Sequence, residues 1–410
     1  MAGIVTRKLD CGATLVMEQM TGVRSAGLSW LVPAGTAAEP TDRLGLSAIL
    51  GELLLRGAGD LDSRGQSEAL DLLGISRHSG AQTRHIGVFM TLLGERVRSA
   101  LPLLADMVRR PRLEAGQLEP VRELCLQSLM GLEDEPQEKT FVLLKEHHLQ
   151  PPYNRSSYGS LAGLQTATCD DVRRFHRARF RPEGCIIGIA GHIDPEAITD
   201  QCNELLADWE GTAAEPPRGA SADRGLHHVT DESAQVHIGL MLDAPREVEE
   251  ESMLERVAVA ALGGGMSSRL FTEVREKRSL CYAVHASYAP GRDEGRTVCY
   301  AGTSPDRAQE TLDVLVAELQ RLGQGIGEDE FHRAVTGLKS RIIMHGESTA
   351  ARASALASET FVRGQARTLT ELAERVDGVR YEHVNAYLAD RGLGEPTIVT
   401  IGPAPLTSPL

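Results

Sequence analysis

The 410-residue chain contains no C-x-x-C pair, and its seven cysteines (Cys11, Cys125, Cys169, Cys185, Cys202, Cys281 and Cys299) are odd in number and widely scattered. That pattern argues for reduced thiols and against a disulfide framework or a zinc site built on paired cysteines. No local signature marks any of the seven as a nucleophile. Cations are also in deficit: 43 Lys and Arg stand against 57 Asp and Glu, a net charge of -14. Binding to a phosphate backbone needs clustered positive charge, so no nucleic-acid partner is expected. The start, Met1 to Leu9, carries Arg7 and Lys8 but no apolar core of signal-peptide length. No later uninterrupted apolar run is long enough to span a bilayer, and the expectation is a cytoplasmic protein without a membrane span. The glycine run at Gly263 lacks the Gly-Lys-Ser/Thr ending of a P-loop and the spacing of a dinucleotide fingerprint, so a nucleotide cofactor is not expected.

What is present is globular, with 41% apolar and 24% charged residues. A chain of this length is too long for one ordinary core and predicts two domains of about 200 residues each. Ile4 to Val16 reads as a hairpin around Asp10-Cys11-Gly12, and Gly27 to Val32 as a further strand. Gly45 to Arg56 has Leu46, Ile49, Leu50, Leu53 and Leu54 at helical spacing and stops at Gly57. Strands are expected in Arg77 to Leu93 and Cys185 to Ala190. Helices are expected over Val97 to Val108, Glu114 to Leu132, Lys139 to His148, Asp170 to Phe180 and Pro195 to Trp209. Glu210 to Gly225 is then rich in small, charged, Pro and Gly residues with no period, which marks a linker. Beyond it the order restarts: strand Val236 to Leu242, helix Glu249 to Leu262, strands Tyr282 to Tyr288 and Thr297 to Gly302. Three helical stretches (Arg307 to Leu322, Glu328 to Ile343, Ala350 to Phe361) and the strand Thr397 to Ile401 close the chain. Two similar orders imply an internal duplication. The fold class expected is α+β, two similar halves, each a mainly antiparallel sheet packed with helices: residues 1–209, a linker over 210–226, and residues 227–410.

The most informative stretch is Gly263 to Val284, G-G-G-M-S-S-R-L-F-T-E-V-R-E-K-R-S-L-C-Y-A-V. Glycines able to make a close turn precede a predicted helix over Ser267 to Lys277, with Leu270, Phe271 and Val274 on its apolar side. Arg275 precedes Tyr282 by seven residues, so the two side chains meet only where helix and strand converge. A guanidinium and a phenol are hydrogen-bond donors able to hold a peptide carbonyl and the oxyanion formed when water attacks it. The bland reading of the pair is a helix salt bridge and a strand-end tyrosine.

This S-R-L-F, R-E-K, L-x-Y run resembles the second half of the pitrilysin/insulinase-type zinc peptidases, in the group built from short bacterial, processing-peptidase-like subunits, and the likeness extends over essentially the whole chain. In active members of that family the matching arginine and tyrosine reach the zinc site, which implies that role for Arg275 and Tyr282. Gly263, Gly264, Gly265 and Arg269 then fall at substrate-binding positions. The resemblance also exposes a loss. Active members carry H-x-x-E-H on the helix matching Gly45 to Gly57, with both histidines on the metal and the glutamate beside its water. Here that frame reads Ala48-Ile49-Leu50-Gly51-Glu52. The downstream ligand glutamate is missing too, since its window reads Leu126-Gln127-Ser128-Leu129, just before Glu133-Asp134-Glu135-Pro136. No H-x-x-E-H or H-E-x-x-H occurs elsewhere. The adjacent pairs His147-His148 and His227-His228 point to opposite sides of their elements and read as surface residues without partners, since neighbours i and i+1 do not face each other.

The resemblance therefore implies a subunit with no metal of its own, inactive alone, working as a heterodimer with a homologous zinc-bearing subunit on peptides or unfolded polypeptide. Zinc belongs to that partner, and an extended peptide is expected to add as a strand to a sheet edge. Two alternatives remain at this stage. One is a non-enzymatic structural or peptide-binding homologue. The other is a self-sufficient hydrolase with a different nucleophile, for which the sequence shows no constellation.

Overall fold

A computed structural model describes residues 3–410. The chain forms two units, and neither is a continuous stretch. The first comprises 1–131, 150–220 and 345–368, and the second 132–149, 221–344 and 369–410. One change of unit, after Ala220, falls inside the expected linker, and the strand Gly225–Thr230 begins within that linker's last residues.

The first unit is built on a six-stranded sheet in the order Ile4–Lys8, Thr14–Gln19, Ile186–Gly191, Ser25–Val32, Ile86–Leu93, Ser76–Ala81. All neighbours are antiparallel except Thr14–Gln19 with Ile186–Gly191. The central strand Ser25–Val32 is buried along nearly its whole length, the pattern expected where helices cover both faces of a sheet. Leu28, Trp30 and Val32 point into the main core with Ile49, Leu50 and Leu53 of the helix Leu46–Leu53. On the opposite face Leu31, Val16, Ile186 and Ala190 meet Ala353, Leu356 and Ala357 of the helix Thr349–Arg363. That helix lies very close. A Cβ on Gly27 would stand 2.4 Å from the Thr349 carbonyl oxygen, and one on Gly188 2.3 Å from that of Ala353. Only glycine admits this approach.

The second unit has a five-stranded sheet in the order Cys281–Pro290, Gly295–Thr303, Val236–Ala244, Thr397–Gly402, Gly225–Thr230. Its last pair is parallel and the rest antiparallel. Removing Ile4–Lys8 from the first sheet leaves the same strand order with the same parallel pair, so the duplication inferred from element order is present in the pairing. The counterpart of the close helix is Pro136–His148, whose Leu144 packs with Met241, Val399 and Ile401. A Cβ on Gly239 would meet the Thr140 and Leu144 side chains at 2.5 and 2.7 Å. Each sheet is thus covered by a helix whose sequence lies in the other half of the chain. Helices over Leu161–Thr166, Leu369–Asp377 and Tyr381–Asp390 complete the units and were not anticipated from periodicity. No helix among the described residues is long and apolar enough to cross a membrane.

Candidate functional site

The helix Leu46–Leu53 follows Gly45, whose φ of +116° suits glycine, and Gly45 brings no capping side chain. The cap comes from upstream instead: Gly45 N–H and Ser47 N–H donate to Glu39 Oε2 and Oε1 at 3.1 and 2.6 Å. A carboxylate placed there satisfies orphan donors at the positive end of the helix. Burial pushes the Glu39 carboxyl up, against these bonds that pull it down.

One face of this helix borders a cavity of about 150 Å³ lined by Ala48, Glu52, Ser79, Gly80, Ala81, Leu124, Cys125, Ser128, Ser157 and Tyr158. Two of the three altered motif positions, Ala48 and Glu52, therefore share one space with the helix Ala115–Gly131 and the outer strand Ser76–Ala81. Gly51 faces Gly80 of that strand across ordinary contact distance, and Ser79 Oγ donates to its carbonyl at 2.5 Å. From the expected ligand window only Ser128 lines the cavity, and Gln127 does not. The donors on offer are the Glu52 carboxylate, the Cys125 thiol and hydroxyls. Burial, with the Glu52 charge adding to it, pushes that thiol up to about 12. There is no histidine in the lining, so the set falls short of the three protein ligands of a catalytic zinc. The same burial effect holds Cys202 and Cys299 at about 12 and Cys281 at about 11, far from the thiolate a cysteine nucleophile needs.

In the second unit the stretch around Arg275 departs from the regular helix expected over Ser267 to Lys277. Phe271–Glu276 winds as a π-helix, with Lys277 N–H donating to the Thr272 carbonyl at 2.9 Å. Side-chain periodicity cannot distinguish this i→i+5 pattern from an α-helix over so short a run. Arg275 is exposed, its guanidinium 4.8 Å from the Phe271 ring centroid, and it has no carboxylate partner among the described residues. Ser279, at a φ of +52°, turns the chain into the strand Cys281–Pro290. Pairing with the neighbouring strand then slips: Cys281 faces Thr303 and Ala283 faces Gly302, leaving Tyr282 as the extra residue of a β-bulge. A bulge re-aims the side chain it carries. The Tyr282 ring lies over Gly302, where a Cβ would be 2.8 Å from the phenol oxygen. Its hydroxyl donates to Gln235 Oε1 at 2.8 Å, and the residue is 50% exposed. Behind it, Tyr300 meets His237 Nδ1 at 2.7 Å, with its phenol pushed up by burial and then by Tyr282. Among the described residues Arg275 and Tyr282 make no direct bond to each other.

The three glycines divide in role. Gly263 is buried where the helix Ser252–Gly263 crosses the strand Cys281–Pro290, and a Cβ there would stand 2.3 Å from Ala286 N. Gly264 and Gly265 instead border a cavity of about 230 Å³ with Met266, Ser267, Glu330, Arg333 and Arg341. Arg269 is engaged by a bidentate pair to Glu330 at 2.6 and 2.8 Å and donates to the Gly325 carbonyl at 2.6 Å, which anchors the loop.

The expectation that both histidine pairs lie partnerless on the surface is corrected. His148 is fully buried and bonded to Thr397 Oγ1 at 3.0 Å and Asp243 Oδ1 at 3.2 Å. His228 Nδ1 meets Thr400 Oγ1 at 2.9 Å, and His147 stacks on His227 with ring centroids 3.6 Å apart. His147 and His148 both turn toward the sheet that their helix covers, rather than to opposite sides. The i, i+1 argument carries no information about residues brought from another segment.

Two family models match the chain: the insulinase, peptidase family M16 model over residues 14–159, and the peptidase M16 inactive domain model over residues 166–338. The chain belongs to the M16, or insulinase, peptidase family. An uncharacterized zinc protease of Mycobacterium leprae is 26% identical over 397 residues, covering 94% of this chain and 88% of its own. One from Bacillus subtilis is 25% identical over 388 residues, covering 91% and 92%. The fold is that of a Pseudomonas fluorescens peptidase M16 inactive domain, with TM-score 0.89, 20% identity and coverage of 99% of this chain and 100% of that one. A Helicobacter pylori protease matches with TM-score 0.88 at 16% identity, covering 98% and 100%. The M16 fold accounts for the two similar halves. The cavity is bordered by Ala48 and Glu52, two of the positions at which the resemblance leads one to expect a metal motif. Ser79, Gly80, Cys125 and Gln235 had no signal in sequence, because each enters a site only through sheet register or helix facing.

Proposed function

We propose that this M16 chain is the subunit of a heteromeric zinc peptidase that lacks a catalytic metal site, placing Arg275 and Tyr282 on peptide or unfolded segments while a homologous subunit supplies the catalytic zinc. The observation that carries the reading is the bulge at Tyr282. It costs a ladder position, yet it directs a half-exposed phenol and follows a π-turn that leaves Arg275 exposed and without an acidic partner. A zinc held by the partner would supply Lewis-acid and water-activating chemistry. In that arrangement the Tyr282 hydroxyl and the Arg275 guanidinium donate to the carbonyl oxygen as charge develops on it. The outer strand Ser76–Ala81 pairs on one side only, with Ile86–Leu93, and Ser79 to Ala81 line the cavity of the degenerate motif. Its free edge suits an extended peptide held through backbone hydrogen bonds.

The test is reconstitution with an M16 subunit carrying H-x-x-E-H. The mixture is expected to cleave unstructured peptides that neither chain cleaves alone. Tyr282→Phe is expected to leave assembly intact by size-exclusion chromatography and lower kcat by roughly 10², the scale of a lost oxyanion donor. Arg275→Ala is expected to raise KM as well. A second reading, a non-enzymatic peptide-binding homologue, draws on the Tyr282 hydroxyl already donating to Gln235. Wild-type turnover in both variants would make Arg275 and Tyr282 scaffold residues and end the catalytic-assistance reading, and failure of the mixture to cleave any peptide would favour the second reading.

A further inference from the structure

Three segments of the second unit bring unlike side chains together away from both places described above: His147 near the end of the helix Pro136–His148, Asp223 just after 150–220, and His227 on the outer strand Gly225–Thr230. One imidazole nitrogen from each histidine and one carboxylate oxygen lie within 4.8 Å of one another. The two rings are nearly parallel, 14° apart in plane. His147 Nδ1 stands 3.8 Å from Asp223 Oδ2, too far for a hydrogen bond. Four-coordinate zinc at about 2.0–2.1 Å from its donors sets them roughly 3.3 Å apart, so the set closes when one imidazole turns out of the parallel stack and aims its lone pair at the ion.

The tautomers agree with this. His227 Nε2 is 2.9 Å from the Asp223 backbone oxygen. A carbonyl only accepts, so in the neutral ring Nε2 carries the proton and Nδ1 is the nitrogen left with a lone pair for a metal. Asp223 has no lysine or arginine partner among the described residues. The adjacent Arg224 is committed to Asp243 by two bonds of 2.6 and 2.8 Å.

We propose that His147, Asp223 and His227 bind a divalent cation of the zinc class and that the cation fastens the helix Pro136–His148 to the outer strand Gly225–Thr230. Two imidazoles and a carboxylate select zinc, cobalt or nickel over magnesium and calcium, which take oxygen ligands. The fourth position is left to water, since Asp223 is exposed. The site is independent of the peptidase reading, because none of its residues belongs to the degenerate motif or to the Arg275 and Tyr282 region.

The experiment uses the full chain after chelator treatment and gel filtration. Calorimetric titration with zinc, and cobalt titration followed by visible absorption, are expected to show one site per chain, unaffected by excess magnesium. Zinc is expected to raise the melting temperature. Asp223→Asn, an exposed and conservative change, and His227→Ala are each expected to weaken binding by more than about tenfold. Glu52→Ala is expected to leave it unchanged. Absence of binding in the wild type, or equal binding in the Asp223 and His227 variants, overturns the site. Binding with no rise in melting temperature overturns the fastening role.

Discussion

Glu255 shows how a single buried charge is held in this fold. It is completely buried, and its carboxylate accepts two bonds of 2.7 Å from Arg391, one of 2.8 Å from the Tyr387 hydroxyl and one from Thr297. Truncating one member of such a pair strands the other in low dielectric, so Glu255→Ala is expected to cost about 3–5 kcal/mol in denaturant unfolding. Replacing both partners with leucine is expected to recover much of that loss. Asp243 behaves differently because its side chain is more than half exposed. The hydrogen bond from His148, and after it the Arg224 contact, hold its carboxyl well below the usual carboxylate range. A group with a depressed folded value contributes stability that is complete above its unfolded value, about pH 4, and disappears as pH falls through the folded value. The melting-temperature difference between wild type and Asp243→Asn is therefore expected to be constant near neutrality and to shrink below about pH 4. Neither partner set was legible in sequence, since Glu255 and Arg391 are separated by most of the second half.

At the scale of elements, the helix Leu46–Leu53 was readable from its leucine spacing, although it ends at Leu53, short of the stop expected at Gly57, which instead opens the strand Gly57–Ala58. What sequence left open was which residue of the neighbouring helix faces it. The cavity answers this: Ala48, Glu52 and Ser128 line it, and Gln127 does not. In a His227→Ala background, which removes the second-unit cluster, Ala48→His, Gly51→Glu and Glu52→His together are expected to give weak zinc binding, because the third ligand is still missing. Adding Ser128→Glu is expected to make binding stoichiometric by metal analysis after dialysis, whereas adding Gln127→Glu is not. Equal gains from the two additions would show that the helix Ala115–Gly131 presents a different face. A Cβ at position 51 meets nothing closer than 3.8 Å, so the backbone admits the change. The π-turn over Phe271–Glu276 and the bulge at Tyr282 are the two local features that periodicity could not report. Both depend on which backbone groups pair, and the side-chain pattern records only which residues are apolar.

At the scale of the whole molecule, the reciprocal placement of Thr349–Arg363 and Pro136–His148 makes a linear cut in the linker incomplete as a description of the units. A fragment spanning residues 1–220 lacks the helix that covers Val16, Leu31 and Ile186, and carries the one that belongs on Met241 and Val399. Exposed apolar sheet faces of this kind drive association. Either fragment expressed alone, 1–220 or 221–410, is expected to be poorly soluble, while co-expression is expected to recover a stable complex by size-exclusion chromatography. Two separately folded, monodisperse fragments would contradict the exchange.

The sequence by itself determined the class of the chain: two rounds of strands and helices and a resemblance to the M16 family carried by the stretch Gly263 to Val284, with Ala48 and Gly51 offering no side-chain donor where that resemblance expects metal ligands. These follow from residue identity and short-range periodicity, which report what a segment buries and what chemistry its side chains hold. The tertiary structure alone decided what each buried face is buried against. It assigned the close helices crosswise through Gly27, Gly188 and Gly239, committed Arg269 to Glu330, and aimed Tyr282 through a bulge. It also drew His147, Asp223 and His227 into one cluster. The physical reason is that burial and hydrogen bonding are satisfied by whichever partner packing supplies, and a period along one chain segment carries no record of the segment that meets it.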